Sequence, residues 1–206
     1  MARQRVGVFG GTFDPIHYGH LVAAEEVRYQ CHLDKVAFMP AGTPPHKLGQ
    51  TISPAEHRLM MVDIAVRSNP YFECSDIDIR REGPSYTVHL LEHLRGEWPD
   101  TDLYFIMGRD SLGNLATWYQ PQRLGELARL VVVDRPRYEV DLAKLEAAVP
   151  GLSNALEFVP IPGIAFASSD IQRRVREGRP IKYQLPEAVE AYIYAQGLYT
   201  PPGADL

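Results

Sequence analysis

The residues best suited to chemistry lie close together near the amino terminus, in the string GGTFDPIHYGH at positions 10–20. The paired glycines Gly10 and Gly11 let backbone N–H groups approach a ligand closely. His17 and His20 are three residues apart at a predicted helix start, so their imidazoles project from neighbouring positions on one side. A helix N-terminus carries partial positive charge and unpaired N–H donors. The string therefore predicts a site for a phosphate group.

Other chemistries fit this string less well. Two histidines at this spacing could ligate zinc, but the usual His-Glu-x-x-His or Cys-x-x-Cys companions are missing, so no metal site built from protein ligands is expected. The dinucleotide fingerprint Gly-x-Gly-x-x-Gly, the P-loop pattern and the Gly-x-Ser-x-Gly elbow are also absent. These absences argue against ordinary dehydrogenases, P-loop enzymes and α/β hydrolases.

The elements around this string alternate between strand and helix patterns about six times. Strands are predicted at 5–9, 35–39, 71–79, 103–107, 130–133 and 156–159, and helices at 19–33, 53–68, 85–97, 110–118, 122–128, 142–149, 169–177 and 186–196. That order favours an α/β fold: a Rossmann-like, doubly wound parallel sheet of about six strands with helices on both faces and a small C-terminal helical cap at about 168–199. In such sheets ligands bind outside the carboxyl ends of the strands, where the string at 10–20 would lie.

Length and composition set broader limits. The 206 residues suit one domain spanning 1–206, with 45% hydrophobic and 23% charged residues, as in globular proteins. A net charge of −5 argues against a general nucleic-acid binder. Cys31 and Cys74 are expected to be reduced thiols rather than a disulfide framework. No apolar run suits a membrane span or a signal peptide, so we expect a soluble, cytoplasmic protein with no membrane partner.

The string at 10–20 resembles the signature Gly-x-Phe-Asp-Pro-x-His-x-Gly-His of a group of adenylyltransferases. Within that group nearly the whole chain resembles the bacterial nicotinate-nucleotide adenylyltransferases. The resemblance continues through PPHK at 44–47, AEHRLMM at 55–61, GPSYT at 83–87, GRDSL at 108–112, TW at 117–118, DRP at 134–136 and LPEAVEAYIYAQGLY at 185–199.

The resemblance implies transfer of AMP from ATP to nicotinate mononucleotide, which yields the dinucleotide and pyrophosphate in NAD biosynthesis. Mg²⁺ would arrive on the ATP phosphates. His17 and His20 would stabilise charge on the transferred phosphate and on the leaving pyrophosphate. The remaining expected contacts divide into an ATP group and a nicotinate-nucleotide group. The ATP group is Gly10, Gly11, Thr12, Phe13, Gly19, Gly108, Asp110, Ser168, Ser169 and Arg173, and the nicotinate-nucleotide group is Lys47, Thr87, Trp118, Tyr119 and Arg135.

One segment departs from the family's pattern. Near the C-terminus the family reads Ile-Ser-Ser-Thr-x-Ile-Arg, whereas this chain has Ala167 for the first serine, Ser169 for threonine and Gln172 for arginine. The expected guanidinium is therefore missing. Arg173 lies about 100° further round an ideal helix and would replace it only if the chain shifted locally.

Four alternatives are considered at this point. The pantetheine-phosphate enzymes, which carry out the same chemistry, are disfavoured because they are usually shorter and lack the region around Trp118. Nicotinamide mononucleotide could be the preferred acceptor, or the protein could be a nucleotide sensor that binds without turnover, as the Gln172 departure would allow. An unrelated dinucleotide-binding oxidoreductase is disfavoured by the missing fingerprint. ATP and nicotinate mononucleotide are the expected small-molecule partners, and a homo-oligomer is left open.

Overall fold

The computed structural model describes residues 3–47, 49, 51–134, 139–163 and 165–200. Six strands form one sheet: β1 (Gln4–Gly11), β2 (Lys35–Pro40), β3 (Phe72–Cys74), β4 (Thr101–Gly108), β5 (Arg129–Asp134) and β6 (Leu156–Pro160). The helices are α1 (Tyr18–Gln30), α2 (Ala55–Val66), α3 (Ile77–Arg80), α4 (Thr87–Glu97), α5 (Arg109–Gly113), α6 (Leu124–Leu127), α7 (Leu142–Ala148), α8 (Ser168–Arg176) and α9 (Glu187–Ala195), with short 3₁₀ turns at Pro45–Lys47, Leu115–Thr117, Pro121–Arg123 and Leu152–Asn154.

The strands pair in the order β3-β2-β1-β4-β5-β6, and every pair is parallel. This is the strand order of the doubly wound Rossmann fold. The chain adds β2 and β3 on one side of β1 and then adds β4, β5 and β6 on the other side, so the strand order reverses between β1 and β4. The predicted parallel sheet is therefore confirmed. The reversal point matters for function because a crevice opens there at the carboxyl ends of the strands.

Alternate strand residues enter two separate cores, because successive side chains of a strand point to opposite faces. In β2, Val36 and Phe38 join the core on one face, whereas Ala37 and Met39 join the core on the other. Helices α1, α2, α8 and α9 cover the first face, and α4, α5, α6 and α7 cover the second. The predicted cap formed by the C-terminal helices thus belongs to the helical layer on the first face.

The strand predicted over 71–79 is wrong in its second half. The β3 strand ends at Cys74, and the chain then forms the short helix α3, whose first turn is closed by Ile79 and Arg80 N–H groups bonded to the Asp76 carbonyl. Ile77 and Ile79 alternate with polar residues, which imitates a strand. However, β3 lies at the edge of the sheet and pairs only with β2, whose pairing with it ends at the Phe38–Cys74 register.

Two predicted helices are also shorter than expected. The segment 110–118 forms α5 and then a 3₁₀ turn at Leu115–Thr117, and the segment 122–128 forms a 3₁₀ turn that leads into α6.

Both cysteines are free thiols, and Cys31 is buried. No helix within the described part of the chain is long and apolar enough to cross a membrane.

Candidate active site

A cavity of about 790 Å³ opens at the carboxyl ends of β1, β2 and β4. Its walls come from the loop after β1, the loop after β2, the starts of α4 and α8, and the segment around α5. The predicted site residues that line it are Gly10, Gly11, Thr12, Phe13, His20, Lys47, Thr87, Asp110, Trp118, Tyr119, Ser168 and Ser169. The fold therefore brings together residues that lie up to 159 positions apart in the sequence.

The loop at 10–16 has a tightly packed backbone. A β-carbon at Gly11 would lie 3.1 Å from the Phe13 ring, which is tighter than an ordinary van der Waals contact, so a side chain there would push the ring aside. Phe13 has a φ of 50°, in the left-handed region that few non-glycine residues adopt. Its ring packs against Phe9 at 5.6 Å and against His20 at 5.2 Å between centroids. These contacts hold an otherwise unfavourable backbone turn at the floor of the cavity.

The two histidines stack on each other but occupy different positions. Their ring centroids are 3.7 Å apart with a 20° angle between planes. His20 lines the cavity, whereas His17 is only 2% exposed and lies behind it as the N-cap residue of α1. The His17 backbone N–H donates to His20 Nδ1 at 3.2 Å. In the neutral imidazole of His20 this bond places the proton on Nε2. Gly19 is likewise buried in the first turn of α1 and does not line the cavity.

The start of α8 faces the loop at 10–16. The Ser168 hydroxyl donates to the Pro15 carbonyl at 2.8 Å, and Gln172 Nε2 donates to the Asp14 carbonyl at 2.7 Å. Ser168, Ser169 and Gln172 line the cavity. Arg173 does not: its guanidinium is paired with Asp170 and, at 3.2 Å, with Glu177. The predicted replacement of the missing arginine by Arg173 is therefore not what the structure shows, because the helix turns residue 173 away from the loop.

The start of α4 forms another wall. Tyr86 is its N-cap residue, and Thr87 is its first residue. The Thr43 N–H donates to Ser85 Oγ at 3.0 Å, and the Ser85 N–H donates to the Thr43 carbonyl at 2.9 Å, which attaches the loop after β2 to this helix start. The first N–H groups of a helix have no partner within the helix. This wall therefore offers hydrogen-bond donors.

Aromatic side chains surround the same end of the cavity. Trp118 packs edge-to-face with Phe105 at 6.2 Å, and Tyr119 stacks on Tyr86 at 4.7 Å. Both Trp118 and Tyr119 line the cavity. A flat ring of a ligand can stack in such a place.

Gly108 and Asp110 form the wall after β4. Gly108 is the N-cap residue of α5 and does not itself line the cavity, whereas Asp110 does. The Asp110 carboxylate lies so close to the Gly108 α-carbon that a β-carbon there would overlap it. Glycine at 108 therefore leaves room for the carboxylate in this position.

The charges of the cavity are mixed. Lys47 is the only lysine or arginine among the described lining residues, and three aspartates, Asp14, Asp78 and Asp110, also line it. Asp78 is 4% exposed and pairs with Arg81 at 2.6 Å. Among the described residues no group of three or more histidines, cysteines or acids could hold a metal ion. Arg135 lies outside the described residues.

Sequence reasoning missed several residues at the site. Asp14 and Tyr86 lie inside the quoted strings but received no role, and Asp78 lies in the segment predicted as a strand. Arg58 and Tyr199 also lie in quoted strings, and both bond to the loop at 10–16 from outside the cavity. The available signal was that both residues lie in strings that match the family, since neither is close in sequence to the string at 10–20 that it contacts.

Known proteins resemble this chain over most of its length. The model of the cytidylyltransferase-like family matches residues 8–175. A protein of Thermomicrobium roseum, named "Probable nicotinate-nucleotide adenylyltransferase", is 52% identical over 95% of this chain and 92% of its own length. A Roseiflexus protein of the same name is 47% identical over 97% of this chain and 100% of its own. The solved structure of the Plasmodium falciparum nicotinic acid mononucleotide adenylyltransferase complexed with NaAD superposes with a TM-score of 0.78, at 18% identity over 95% of this chain and 97% of that chain.

Proposed function

The chain belongs to the cytidylyltransferase-like family and, within it, to the nicotinate-nucleotide adenylyltransferases, and from the site geometry we propose how it performs their reaction. It transfers AMP from ATP to nicotinate mononucleotide, giving nicotinate adenine dinucleotide and pyrophosphate. The observation that supports the assignment to this site is the cavity at the carboxyl ends of β1 and β4, where the loop at 10–16 and the starts of α4 and α8 meet.

The chemistry requires orientation and charge stabilisation more than covalent help. A phosphate oxygen of the mononucleotide attacks the α-phosphorus of ATP, the bond to the bridging oxygen breaks, and pyrophosphate leaves with that electron pair. The attacking phosphate is already an anion, so the reaction needs no general base. In such transfers the protein mainly positions the groups and neutralises the charge that develops.

We assign the phosphate end to the loop at 10–16 and the start of α8. His20 would donate from Nε2 to the reacting phosphates, and His17 would hold the His20 ring by stacking behind it. The backbone of Gly10, Gly11, Thr12 and Phe13 and the first turn of α8 at Ser168 and Ser169 would supply further N–H donors. Because Lys47 is the only described lining residue with a permanent positive charge, the bound nucleotide would depend strongly on the Mg²⁺ that it carries.

We assign the acceptor end to the wall formed by α4 and the aromatic residues. The N–H groups at Thr87 would bind the nicotinate carboxylate, Trp118 would stack on the pyridine ring, and Tyr119 would close its edge. Asp110 would accept a hydrogen bond from a ribose hydroxyl. Arg135 remains a predicted contact.

The assignment is tested by product analysis. The protein is incubated with Mg²⁺, ATP and either nicotinate or nicotinamide mononucleotide, and pyrophosphate and dinucleotide are both measured. We expect equal amounts of the two products with the nicotinate substrate and none without an acceptor. ATP binding without turnover on either acceptor would contradict the enzyme assignment and favour the nucleotide sensor.

A further inference from the structure

A buried hydrogen-bond network joins the loop at 10–16 to the C-terminal part of the chain. Asp14 is 5% exposed. One of its carboxylate oxygens accepts the Tyr199 hydroxyl at 2.6 Å, and the other accepts the Ser53 backbone N–H at 3.0 Å. Tyr199 lies 185 residues from Asp14 in the chain, just beyond α9. A single phenol O–H thus connects the far end of the described chain to the predicted phosphate site.

Arg58 makes the second connection. Its side chain is 1% exposed, and its guanidinium donates to three backbone carbonyls: Thr12 at 3.0 Å, Ser53 at 3.0 Å and Gly42 at 3.3 Å. Burial lowers the pKa of this guanidinium, and the nearby negative charge of Asp14 opposes that shift. Because these carbonyls belong to the loops after β1 and after β2, one buried cation attaches both loops to α2.

These bonds determine which way the loop's peptide groups face. In a planar trans peptide the C=O and N–H groups point in opposite directions. The Thr12 carbonyl faces Arg58, so the N–H of Phe13 in the same peptide faces away from Arg58. The carbonyls of Asp14 and Pro15 also accept hydrogen bonds, from the side chains of Gln172 and Ser168 respectively. Carbonyl dipoles that would repel phosphate are thereby directed at protein donors.

We propose that Tyr199 and Arg58 are positioning residues for AMP transfer: neither lines the cavity, and both act by holding Asp14 and Thr12 so that the loop presents its N–H groups to the phosphates. This inference rests on the proposed function. Tyr199 is well suited to the role, since burial and the neighbouring carboxylate raise the pKa of its hydroxyl, which stays a donor at all working pH values.

Tyr192 provides a matched control. Its hydroxyl lies 2.9 Å from His57 Nδ1 and joins α9 to α2 in the same helical layer as Tyr199. Neither Tyr192 nor His57 lines the cavity. Tyr192→Phe and Tyr199→Phe each remove one partly buried phenol oxygen, and only the second removes a bond to the loop at 10–16.

The first test compares the two variants. Midpoints of thermal unfolding, kcat, KM for ATP and the Kd of Mg·ATP by titration calorimetry are measured well below the unfolding range. We expect similar losses of stability. Tyr199→Phe should lower kcat/KM for ATP roughly 10-fold, less than the ~10²-fold that a misplaced reacting group can cost. Tyr192→Phe should stay within about 2-fold of the unmodified protein. Equal effects on activity, or none in Tyr199→Phe, would overturn the proposal.

The second test asks whether Tyr199 acts through Asp14. Coupled residues show non-additive effects in a double-mutant cycle. If the proposal is right, Asp14→Asn shows the same kind of activity loss, and adding Tyr199→Phe to it changes kcat/KM by less than about 2-fold. Full additivity would overturn the proposal. The Kd of Mg·ATP distinguishes failure of the proposed function from failure of the positioning role. If the unmodified protein shows no turnover, the proposed function is wrong. If Tyr199→Phe then weakens the Kd of Mg·ATP and Tyr192→Phe does not, positioning of the loop by Tyr199 is still supported.

Discussion

His20 presents its imidazole to the cavity, while its stacked neighbour His17 is buried. Loss of a preorganised donor to a developing charge typically costs about 10²–10³ in kcat, and we expect His20→Ala to fall in this range. Its unfolding midpoint should fall less than that of His17→Ala, because the His20 side chain is only partly buried. His17→Ala should lower both kcat and the unfolding midpoint, since it leaves a buried void. Kinetics and thermal melts of both variants check this, and unchanged kcat with a large stability loss in His20→Ala would show a structural role.

Trp118 packs against Phe105 at the end of the cavity that we propose for the acceptor. Its ring can stack on either pyridine, so it should contribute to affinity without choosing between acid and amide. Trp118→Ala should weaken both mononucleotides similarly, by about 0.5–1.5 kcal/mol of aromatic contact plus the lost burial. Calorimetric titration with each mononucleotide measures this. A variant that lost only one of the two ligands would contradict the neutral role of the ring.

At the scale of elements, we expect the start of α4 to determine which acceptor the protein prefers. Backbone N–H groups near Thr87 are donors only, so they satisfy both oxygens of a carboxylate but oppose the N–H₂ of an amide. An unpaired buried polar group costs about 1–3 kcal/mol. We therefore expect kcat/KM to favour nicotinate over nicotinamide mononucleotide by at least roughly 10–100-fold. Steady-state kinetics with both substrates tests the prediction, and equal values would rule out a pocket made of donors alone.

The positions of Gln172 and Arg173 on α8 lead us to expect different effects on ATP binding when each is substituted. Arg173 is paired with Asp170 and Glu177 outside the cavity, so Arg173→Ala should leave KM for ATP within about 2-fold. Gln172 lines the cavity, and an arginine there would add a cation at the price of the bond to the Asp14 carbonyl. Gln172→Arg should still tighten ATP, by at most the roughly 1.5–3 kcal/mol of a charge-assisted hydrogen bond. ATP titrations of both variants decide the matter, and weaker binding in Arg173→Ala would restore Arg173 as the phosphate contact.

At the scale of the whole molecule, two thiols should make the free energy of unfolding fall at alkaline pH. Burial raises the pKa of Cys31 and of Cys74 from 9.0 to about 12, so the folded state retains protons that the unfolded state loses between these values. Their contribution to the free energy of unfolding is complete below pH 9 and declines as the pH rises towards 12. Urea unfolding at several pH values between 8 and 11 should show this decline. In a Cys31→Ala variant the free energy of unfolding should decline less steeply with pH. An identical decline in the variant would show that the Cys31 thiol does not contribute to it.

The sequence by itself determined the architecture and predicted where the site lies. Strand and helix periods are local properties, so the alternating order from residue 5 to residue 196 was enough to predict a doubly wound parallel sheet. The string at 10–20 also predicted a phosphate site at the end of β1, and that site stays a prediction. The predicted strand over 71–79 was wrong after Cys74. The alternating pattern of the sequence continues there, but the pairing with β2 ends.

Only the tertiary structure decided which side chains meet. Residues 172 and 173 differ by about 100° of helix rotation, and the packing of α8 on the loop selects Gln172 for the cavity and Arg173 for solvent. Similarly, His17 is buried behind His20, and Tyr199 reaches Asp14 across 185 positions. A sequence specifies the period of each element, whereas contacts between distant residues depend on strand order and on how each helix is rotated against the sheet.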